Sequence, residues 1–440
     1  MKVSIVIPVY NNLELTKNCI NSILKAKNST SYEIIISDDC STDNTKEFCL
    51  SLTKKYKNIK YRRNEKNMGF SFTCNRGAEI SEGEYLLFLN NDTIVKDYFI
   101  DNFFIAFEKF KNVGIIGGKL LYEDNTIQHA GVIIFPDNKV DHLFRYFPKD
   151  YKNANNFYEF SAVTGACLLI SKNLFKKLNY FDENFINGFE DIDLCYSAKK
   201  LGYKVIYNPK VEIYHLEEKT REPKEKDTFN SQYLFNKWNG KFYPDFWLID
   251  LGYNFKFTEY FLCYIVKQKI LKENELPENI SYVYEIFKNE PLEFNACKKV
   301  INHFLNKREY NLALSLLKDL IRFEPTLENF YFLKKILKIS NNYTVEIEDF
   351  IKNYERKMID NKKLMRKISL KLLKEKDFRR GIYFAEWLKN YVGDYSSYKI
   401  FVNFLEIIKK EDFKFYKLWE NCYEPSKKKL LELKEKIFAK

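Results

Sequence analysis

No stretch of this sequence reaches the ~18–20 consecutive apolar residues that a membrane-spanning helix needs, so any bilayer contact is expected to be peripheral. Glycine and proline are scarce, 14 and 10 in 440 residues, which excludes collagen-like repeats and broad disorder. The nine cysteines include no C-x-x-C pair, and their number is odd. Several lie inside apolar runs, such as Cys167 in TGACLLIS and Cys263 in YFLCYIV. That pattern predicts reduced, buried thiols in a cytosolic protein and argues against a disulfide framework. Met1 leads straight into KVSIVIPVY, with no basic region followed by a long apolar stretch, so no signal peptide and a cytoplasmic location are expected.

Two phosphate-binding signatures are also missing. No G-x-G-x-x-G follows the first strand, which disfavours dinucleotide binding. GIIGGKL has too short a spacing between Gly114 and Gly118, and Leu120 stands where a P-loop needs Ser or Thr. A sugar nucleotidyltransferase would want a Gly-rich loop with a basic residue after strand one, and PVYNNLEL offers neither.

What is present is ample apolar mass, 45%, with a high aromatic share of 17% carried by 39 Phe and 32 Tyr. The length predicts two or three domains. Net charge is +12, but residues 1–250 hold 34 basic and 33 acidic side chains while residues 251–440 hold 38 and 27. The surplus in the second half suits phosphates, anionic lipid or an acidic partner, or reflects Lys-rich solvated helix faces. It contains no recognisable nucleic-acid reading motif, so no nucleic-acid role is assigned.

Along the first third, strand and helix alternate. VSIVIPVY (3–10) is a β-branched run of the kind buried parallel strands show. Residues 13–26 place Leu15, Cys19, Ile20, Ile23 and Leu24 on one helical face. YEIIISDD is a second strand. STDNTKEFCLSLTKKY is a helix with Ser41 or Thr42 as its expected N-cap. IKYRRN is a strand, GFSFTCNRGAEIS a helix, and EYLLFLNND a fourth strand. This order predicts an α/β domain with a mostly parallel sheet covered by helices on both faces, and a ligand outside the carboxyl ends of the strands. Residues 113–170 read as strand-rich, and FEDIDLCYSAKKLGYKVIY as loop, helix, turn and strand. EEKTREPKEKD (217–227) reads as a mobile charged loop. Beyond about residue 250 the pattern becomes amphipathic helices, giving expected domains at 1–250 and 251–440. KREYNLALSLLKDLIRFEPTLENFYFLKKILKI is compatible with a tetratricopeptide-type hairpin or an ordinary helical bundle.

Three acidic clusters carry the chemistry. Asp38 and Asp39 end the second strand; a carboxylate there accepts a hydrogen bond from a nucleobase N–H or serves as a cap or ion-pair partner. Asn90, Asn91 and Asp92 end the fourth strand. Hard divalent cations take oxygen ligands, one or two carboxylates with substrate phosphates, and Asn90 and Asp92 share a side of an extended chain. Glu190, Asp191 and Asp193 open a helix, where the dipole favours acidic residues and a carboxylate also suits a general base. His215 ends the strand VEIYH and is a candidate third metal ligand or a structural histidine.

Taken together, VSIVIPVYNN, IIISDDCSTDNT, NEKNMGFSFTCNRGAEISEGEYLLFLNNDT, VTGACLLISKNLFKKLNYFDENF, GFEDIDLCYSAKKLGYKVIYNP and VEIYH resemble, in that order, the inverting family 2 glycosyltransferases of the GT-A fold. The resemblance covers about residues 1–216. It implies a nucleotide-diphospho-sugar transferase domain, followed here by an all-α C-terminal domain. Pro8, Tyr10 and Asn11 would line the nucleoside pocket, and Asp38 would pair with uracil or thymine N3–H, with Asp39 as the alternative. Asn67, Gly69 and Asn75 would lie beside the nucleotide. Asp92 would hold Mn²⁺ or Mg²⁺ against the pyrophosphate with His215, and Asn90, Asn91 and Glu190 would adjoin the donor. Gly165, Ala166 and Cys167 would shape the pocket, and Asp191 would be the base. The family's usual acidic residue at the Asn90 position is an amide here, a weaker ligand. Lys219 or Arg221 would close the charged loop as a lid over the phosphates.

The implied donor is a UDP- or dTDP-sugar, and the implied acceptor a hydroxyl of a glycan, a lipid-linked oligosaccharide or a protein. A catalytically inactive sugar-nucleotide fold acting through its helical half is the alternative. The stretch FKFTEYFLCYIVKQKILK (255–272) suits either peripheral contact with the inner membrane or a helix packed between the domains.

Overall fold

The computed structural model describes residues 2–185, 187–216, 225–238, 244–258, 263–340, 364–392 and 395–421. They divide into two compact units: residues 1–134 with 140–243, and residues 135–139 with 244–440.

The first unit is built on a ten-stranded sheet. β1 (Lys2–Val9) and β2 (Ser31–Asp38) are joined through α1 (Leu13–Lys25), and β2 and β3 (Ile59–Arg63) through α2 (Thr45–Lys55). After β3 the chain crosses by α3 (Phe70–Glu79) to β4 (Tyr85–Leu89), which pairs with β1 on its other side. Strands β1 to β4 run parallel in the order β3-β2-β1-β4. The order therefore reverses between β1 and β4, and the carboxyl ends of those two strands border a crevice, where open α/β sheets bind ligands. The rest of the sheet comprises β5 (Thr93–Ile94), β6 (Val113–Leu121), β7 (Ile127–His129), β10 (Tyr158–Glu159), β11 (Cys167–Ser171) and β12 (Lys204–His215), and between β5 and β6 the chain forms the helix α4 (Phe99–Lys109). β11 runs antiparallel between β4 and β6, and β12 lies parallel to β6. β8 (Val132–Ile134) and β9 (Val140–His142) pair separately.

Alternation along the central strands separates two cores. Val3, Ile5, Ile7, Val9, Ile34, Ile36, Leu87 and Leu89 pack with Cys19, Ile20 and Ile23 of α1, Cys49 of α2 and Phe99 and Phe103 of α4. The opposite face carries Phe88, whose ring meets Phe175 and Phe181 at 5.0 and 4.9 Å. α3 lies against β1 and β2, with Ser37 Oγ donating to the Thr73 carbonyl at 2.7 Å. Of the eight described cysteines, seven are buried and none is in a disulfide.

The N-cap of α2 is Asn44, not Ser41 or Thr42. Ser41 is drawn away because its hydroxyl accepts the Asn11 N–H at 2.8 Å, binding the first strand-end loop to the second.

The second unit opens on an antiparallel pair, Tyr253–Phe257 with Cys263–Lys267. The helical reading of 255–272 is thus corrected. The segment pairs residue for residue from Tyr253–Lys267 to Phe257–Cys263, an antiparallel ladder with Tyr253, Asn254, Phe255 and Phe257 buried and Lys256 exposed. Four helices follow: α8 (Ile280–Asn289), α9 (Phe294–Asn306), α10 (Tyr310–Phe323) and α11 (Leu327–Ile339). Each packs on the next through three- or four-residue connections, with Val300 and Ile301 of α9 and Leu314, Leu317 and Leu320 of α10 buried. Further helices include Phe378–Trp387, Tyr395–Glu411 and Phe413–Asn421. Among the described residues no helix is long and apolar enough to cross a membrane.

Candidate active site

The strand-end clusters converge on the β1/β4 crevice from two sides. On the first side, Tyr10 is about half exposed just past β1, beside the partly exposed Pro8. Asn11 has φ 56°, a left-handed conformation that Asn tolerates. Its amide oxygen accepts the Thr42 N–H at 2.7 Å. Asp38 is fully buried. One of its oxygens accepts the Ser41 N–H at 2.8 Å. The other accepts from the Tyr61 hydroxyl at 2.5 Å and Arg63 at 2.7 Å. Burial, then the hydrogen bond to Asp38, pushes the Tyr61 phenol up. Asp39 accepts from the Asn64 amide at 2.9 Å and from the backbone N–H groups of Met68 and Gly69, both at 2.8 Å. Asp39 thus anchors the loop bearing the exposed Asn67. Asn75 bonds the Phe181 backbone through both amide atoms and also reaches Glu183. Asn91 turns to Thr16 on α1 at 2.9 Å.

On the second side, Asp92, Asn90 and His215 meet. β5 pairs with the end of β12, setting Thr93 opposite His215. The imidazole Nε2 lies 3.1 Å from Asp92 Oδ1 and 3.3 Å from the Asn90 amide nitrogen. Among the described residues no third His, Cys, Asp or Glu joins them.

Asp191 stands beside this pair. Its two oxygens accept the Gly165 N–H at 2.7 Å and the Ile192 N–H at 2.8 Å. A Cβ on Gly165 would lie 3.3 Å from that of Asp191, so the absent side chain is what admits the carboxylate. The next residue, Ala166, accepts the Asn90 N–H at 3.0 Å. Two consecutive residues therefore link the Asp191 carboxylate to the strand end that carries Asp92, and Cys167 beyond them is wholly buried in β11.

The turn into α6 (Glu190–Lys200) explains how Asp191 is aimed. Asn187, Gly188 and Phe189 all have positive φ, 58°, 124° and 73°. Such backbone persists only when its surroundings hold it, and it gathers at functional sites. Asn187 accepts the Phe70 N–H at 2.8 Å, joining this turn to the start of α3. Gly69, at φ 87° and ψ 173°, precedes that helix in a conformation essentially reserved for glycine. Glu190 closes the turn by accepting the Gly188 N–H at 2.6 Å. Asp193 is committed elsewhere, to Lys237 at 2.9 Å and the Trp238 indole at 2.8 Å. Lys237 and Asp193 border a cavity of about 560 Å³ that Asn75 also lines.

Asn187, Gln128 and His129 were not among the residues singled out from the sequence. The Asn187–Gly188 dipeptide was a visible turn signal, and Gln128–His129 interrupts an otherwise apolar stretch. Lys219 and Arg221, read as a lid, lie outside the described residues.

The donor set fits a divalent cation. Asp92 Oδ1 is buried without a hydrogen-bond partner among the described atoms. Gln128 donates its amide N–H to the His215 carbonyl at 3.4 Å, so its oxygen faces His215 Nδ1, at 2.6 Å. Nε2, the ring's other nitrogen, faces Asp92 and is the atom that would meet a metal.

Comparison with known proteins bears on the same half of the chain. The family model described as Glycosyl transferase family 2 matches residues 4–178. The poly(ribitol-phosphate) beta-N-acetylglucosaminyltransferase TarP of Staphylococcus aureus is 30% identical over 254 residues, covering 50% of this chain and 75% of TarP. The O-antigen biosynthesis protein RfbC of Myxococcus xanthus is 25% identical over 249 residues. That match takes in 54% of this chain but only 19% of RfbC, so the chain spans a small part of this longer relative. The solved structure of GalNAc-T7 with UDP, GalNAc and Mn²⁺ covers 55% of this chain and 49% of its own at a TM-score of 0.47 and 16% identity, too distant to bear on mechanism. Because three quarters of TarP aligns at 30% identity, and the family model spans β1 through β11, the chain belongs to glycosyl transferase family 2.

Proposed function

We propose that the first unit transfers a sugar from a UDP- or dTDP-sugar to a hydroxyl of a glycan, a lipid-linked oligosaccharide or a protein, with inversion at the anomeric carbon. The observation that carries this reading is the placing of Asp191 on Gly165, whose neighbour Ala166 is bonded to the β4 end that leads to Asp92, itself 3.1 Å from His215. A proton acceptor tied to the strand end that carries a candidate diphosphate-side cluster suits an in-line displacement.

In this reading the Gly165 and Ile192 N–H groups orient the Asp191 carboxylate. Asp191 removes the proton from the acceptor hydroxyl as its oxygen bonds to the anomeric carbon, while the bond from that carbon to the diphosphate oxygen breaks. The nucleoside diphosphate leaves from the opposite face. Asp92, His215 and the Asn90 amide would hold Mn²⁺ or Mg²⁺, which supplies neutralisation of charge on the departing diphosphate. Tyr10, Pro8 and the loops fastened by Asn11, Asp38 and Asp39 border the nucleoside. Asn67 and Gly69 adjoin it, and Ala166 and Glu190 shape the sugar side. Asn75 and Asn91 act through the segments they fasten. Residues 1–250 form the catalytic domain, and residues 251–440 bind the acceptor or a partner.

The names of TarP, a poly(ribitol-phosphate) beta-N-acetylglucosaminyltransferase, and RfbC, an O-antigen biosynthesis protein, support a role in cell-surface polysaccharide or glycoconjugate synthesis. We place that role in the cytoplasm, with peripheral contact at the inner membrane. A donor panel read by nucleoside diphosphate release, with and without Mn²⁺, tests the reading. Turnover is expected to rise with metal and to fall at least about a hundredfold in Asp191→Asn. Wild-type protein that turns over no donor, with or without acceptor glycans, would favour an inactive scaffold.

A further inference from the structure

We infer that the cavity bounded by α3, α6 and α7 (Glu225–Lys237) is a second carbohydrate site, one that takes an uncharged oligosaccharide. This goes beyond the transfer reading and stands without it.

The first observation is the lining. A volume of about 560 Å³ falls within the roughly 300–1,000 Å³ of small-molecule sites, which are lined mainly by apolar and aromatic side chains. Of the thirteen described residues that line this cavity, only Leu178, Tyr180 and Phe181 are of that kind, and the rest are charged, amide or hydroxyl. An apolar occupant would strip water from those groups and leave them unpaired. The occupant must therefore be polar on most of its sides.

The second observation is the charge. Four carboxylates, Glu79, Asp182, Glu183 and Asp193, share the wall with two cations, Arg76 and Lys237. Both cations are committed. Arg76 pairs with Glu79, and Lys237 donates to Asp182 at 2.6 Å and Asp193 at 2.9 Å. A nucleoside diphosphate or any other anion would meet a wall of net negative charge. A metal ion is excluded on a different ground: among the described residues no three of His, Cys, Asp and Glu are grouped to hold one.

The third observation is what the wall leaves open. Among the described residues the Asn179 amide and the Tyr180 and Ser197 hydroxyls have no hydrogen-bond partner, and Glu183 accepts one bond, from Asn75 at 3.0 Å. Amide, hydroxyl and carboxylate together offer both donors and acceptors, the set that neutral sugar hydroxyls can pair. Asn179 and Tyr180 are consecutive residues at φ 63° and 65°. That backbone is an outlier for a bulky residue, and such strain gathers at ligand clamps.

The cavity faces away from the proposed base. Asp193 borders it, while Asp191 is bonded to Gly165. Two residues along a helix differ by about 200° around its axis, so the two carboxylates leave opposite sides of α6. Asn75 lines the cavity but spends its amide on the Phe181 backbone and Glu183. A glycan gripped here is tethered to the domain at a point along its chain, which raises the effective concentration of its free end.

The test uses the full-length protein without donor or metal, in saturation-transfer NMR titrations. The probes are maltotriose, cellotriose and N-acetylchitotriose, with trigalacturonate as an anion of the same length. At least one uncharged probe should bind with a Kd of about 1 mM. Trigalacturonate should bind at least about tenfold more weakly. Ser197→Phe fills the cavity from α6 and should weaken the uncharged probe at least about tenfold. If that variant does not fold, Asn179→Gly combined with Glu183→Ala, both exposed positions, should show the same loss. Three results each overturn the inference: no binding of any uncharged probe, equal binding of trigalacturonate, or full binding kept in a folded cavity variant. None of these readouts uses turnover, so an empty cavity leaves the transfer reading intact, and an inactive donor panel leaves the cavity to be judged by its own probes.

Discussion

The two sides of the crevice treat their carboxylates in opposite ways. At the ends of β2 and β3, Asp38 and Asp39 each accept three hydrogen bonds from donors on separate segments. An ionised carboxylate has about four acceptor positions, so most of their capacity is spent holding loops together. At the ends of β4 and β12, Asp92 keeps a buried oxygen without a hydrogen bond among the described atoms. Asp191 is held by two backbone N–H groups. The carboxylates of the first side are spent on holding loops, while Asp92 keeps an oxygen for chemistry. A buried acceptor without a donor costs about 1–3 kcal/mol, so it persists where function requires it.

That contrast predicts opposite outcomes from one chemical change, and the largest effect is expected at Asp92. Asp92→Asn removes a buried charge, one oxygen of which has no hydrogen bond among the described atoms. Its melting temperature should match or exceed wild type, while Mn²⁺-stimulated turnover should fall at least about a hundredfold. Paired melting curves and donor-turnover assays make the comparison. A clear drop in melting temperature with activity kept would mean that Asp92 is structural, and the contrast would fail.

The next largest effect belongs to the saturated side. Arg63→Leu strips one donor from the fully buried Asp38. Orphaning a buried charge costs about 3–5 kcal/mol. Here Ser41 and Tyr61 still serve the carboxylate and Arg63 is partly exposed, so about 2 kcal/mol of stability should be lost. Urea unfolding measures it; a change under about 0.5 kcal/mol would show that the anchor is redundant.

These predictions also mark what was legible in the sequence. The strands β1, β2 and β4 could be read because parallel strands buried on both faces are continuous β-branched and leucine runs. Asp38, Asp92, Asp191 and His215 could be listed because each ends or begins an element. Which carboxylate was saturated could not be read, since the donors come from distant segments: Arg63 lies 25 residues from Asp38. Ser41 misled the helix-cap reading for the same reason, its hydroxyl being claimed by Asn11 across 30 residues. The hairpin at 253–267 was hidden beneath a basic, aromatic composition. Gln128 showed in the sequence only as a polar interruption; its contact with His215 could not be read, because the register shift in β7 depends on the partner strand.

The smallest effect sharpens the contrast from a third position, a buried base kept neutral. His129 is fully buried between the two sides, with Nδ1 2.5 Å from Nδ1 of His142. Burial first, then the neighbouring His142 and His215 rings, hold its imidazole well below its ordinary value of 6.5. The unfolded chain protonates at about 6.5, so below that pH it binds a proton that the folded chain refuses. Stability should therefore be full above about pH 7 and decline as pH falls, by at most about 1.4 kcal/mol per pH unit from this one group. His129→Asn removes the group, so its unfolding free energy should fall less steeply than wild type between pH 6 and pH 5. Equal slopes in the two proteins would show that His129 accepts a proton in the folded state, and that burial there is less complete in solution than its packing indicates.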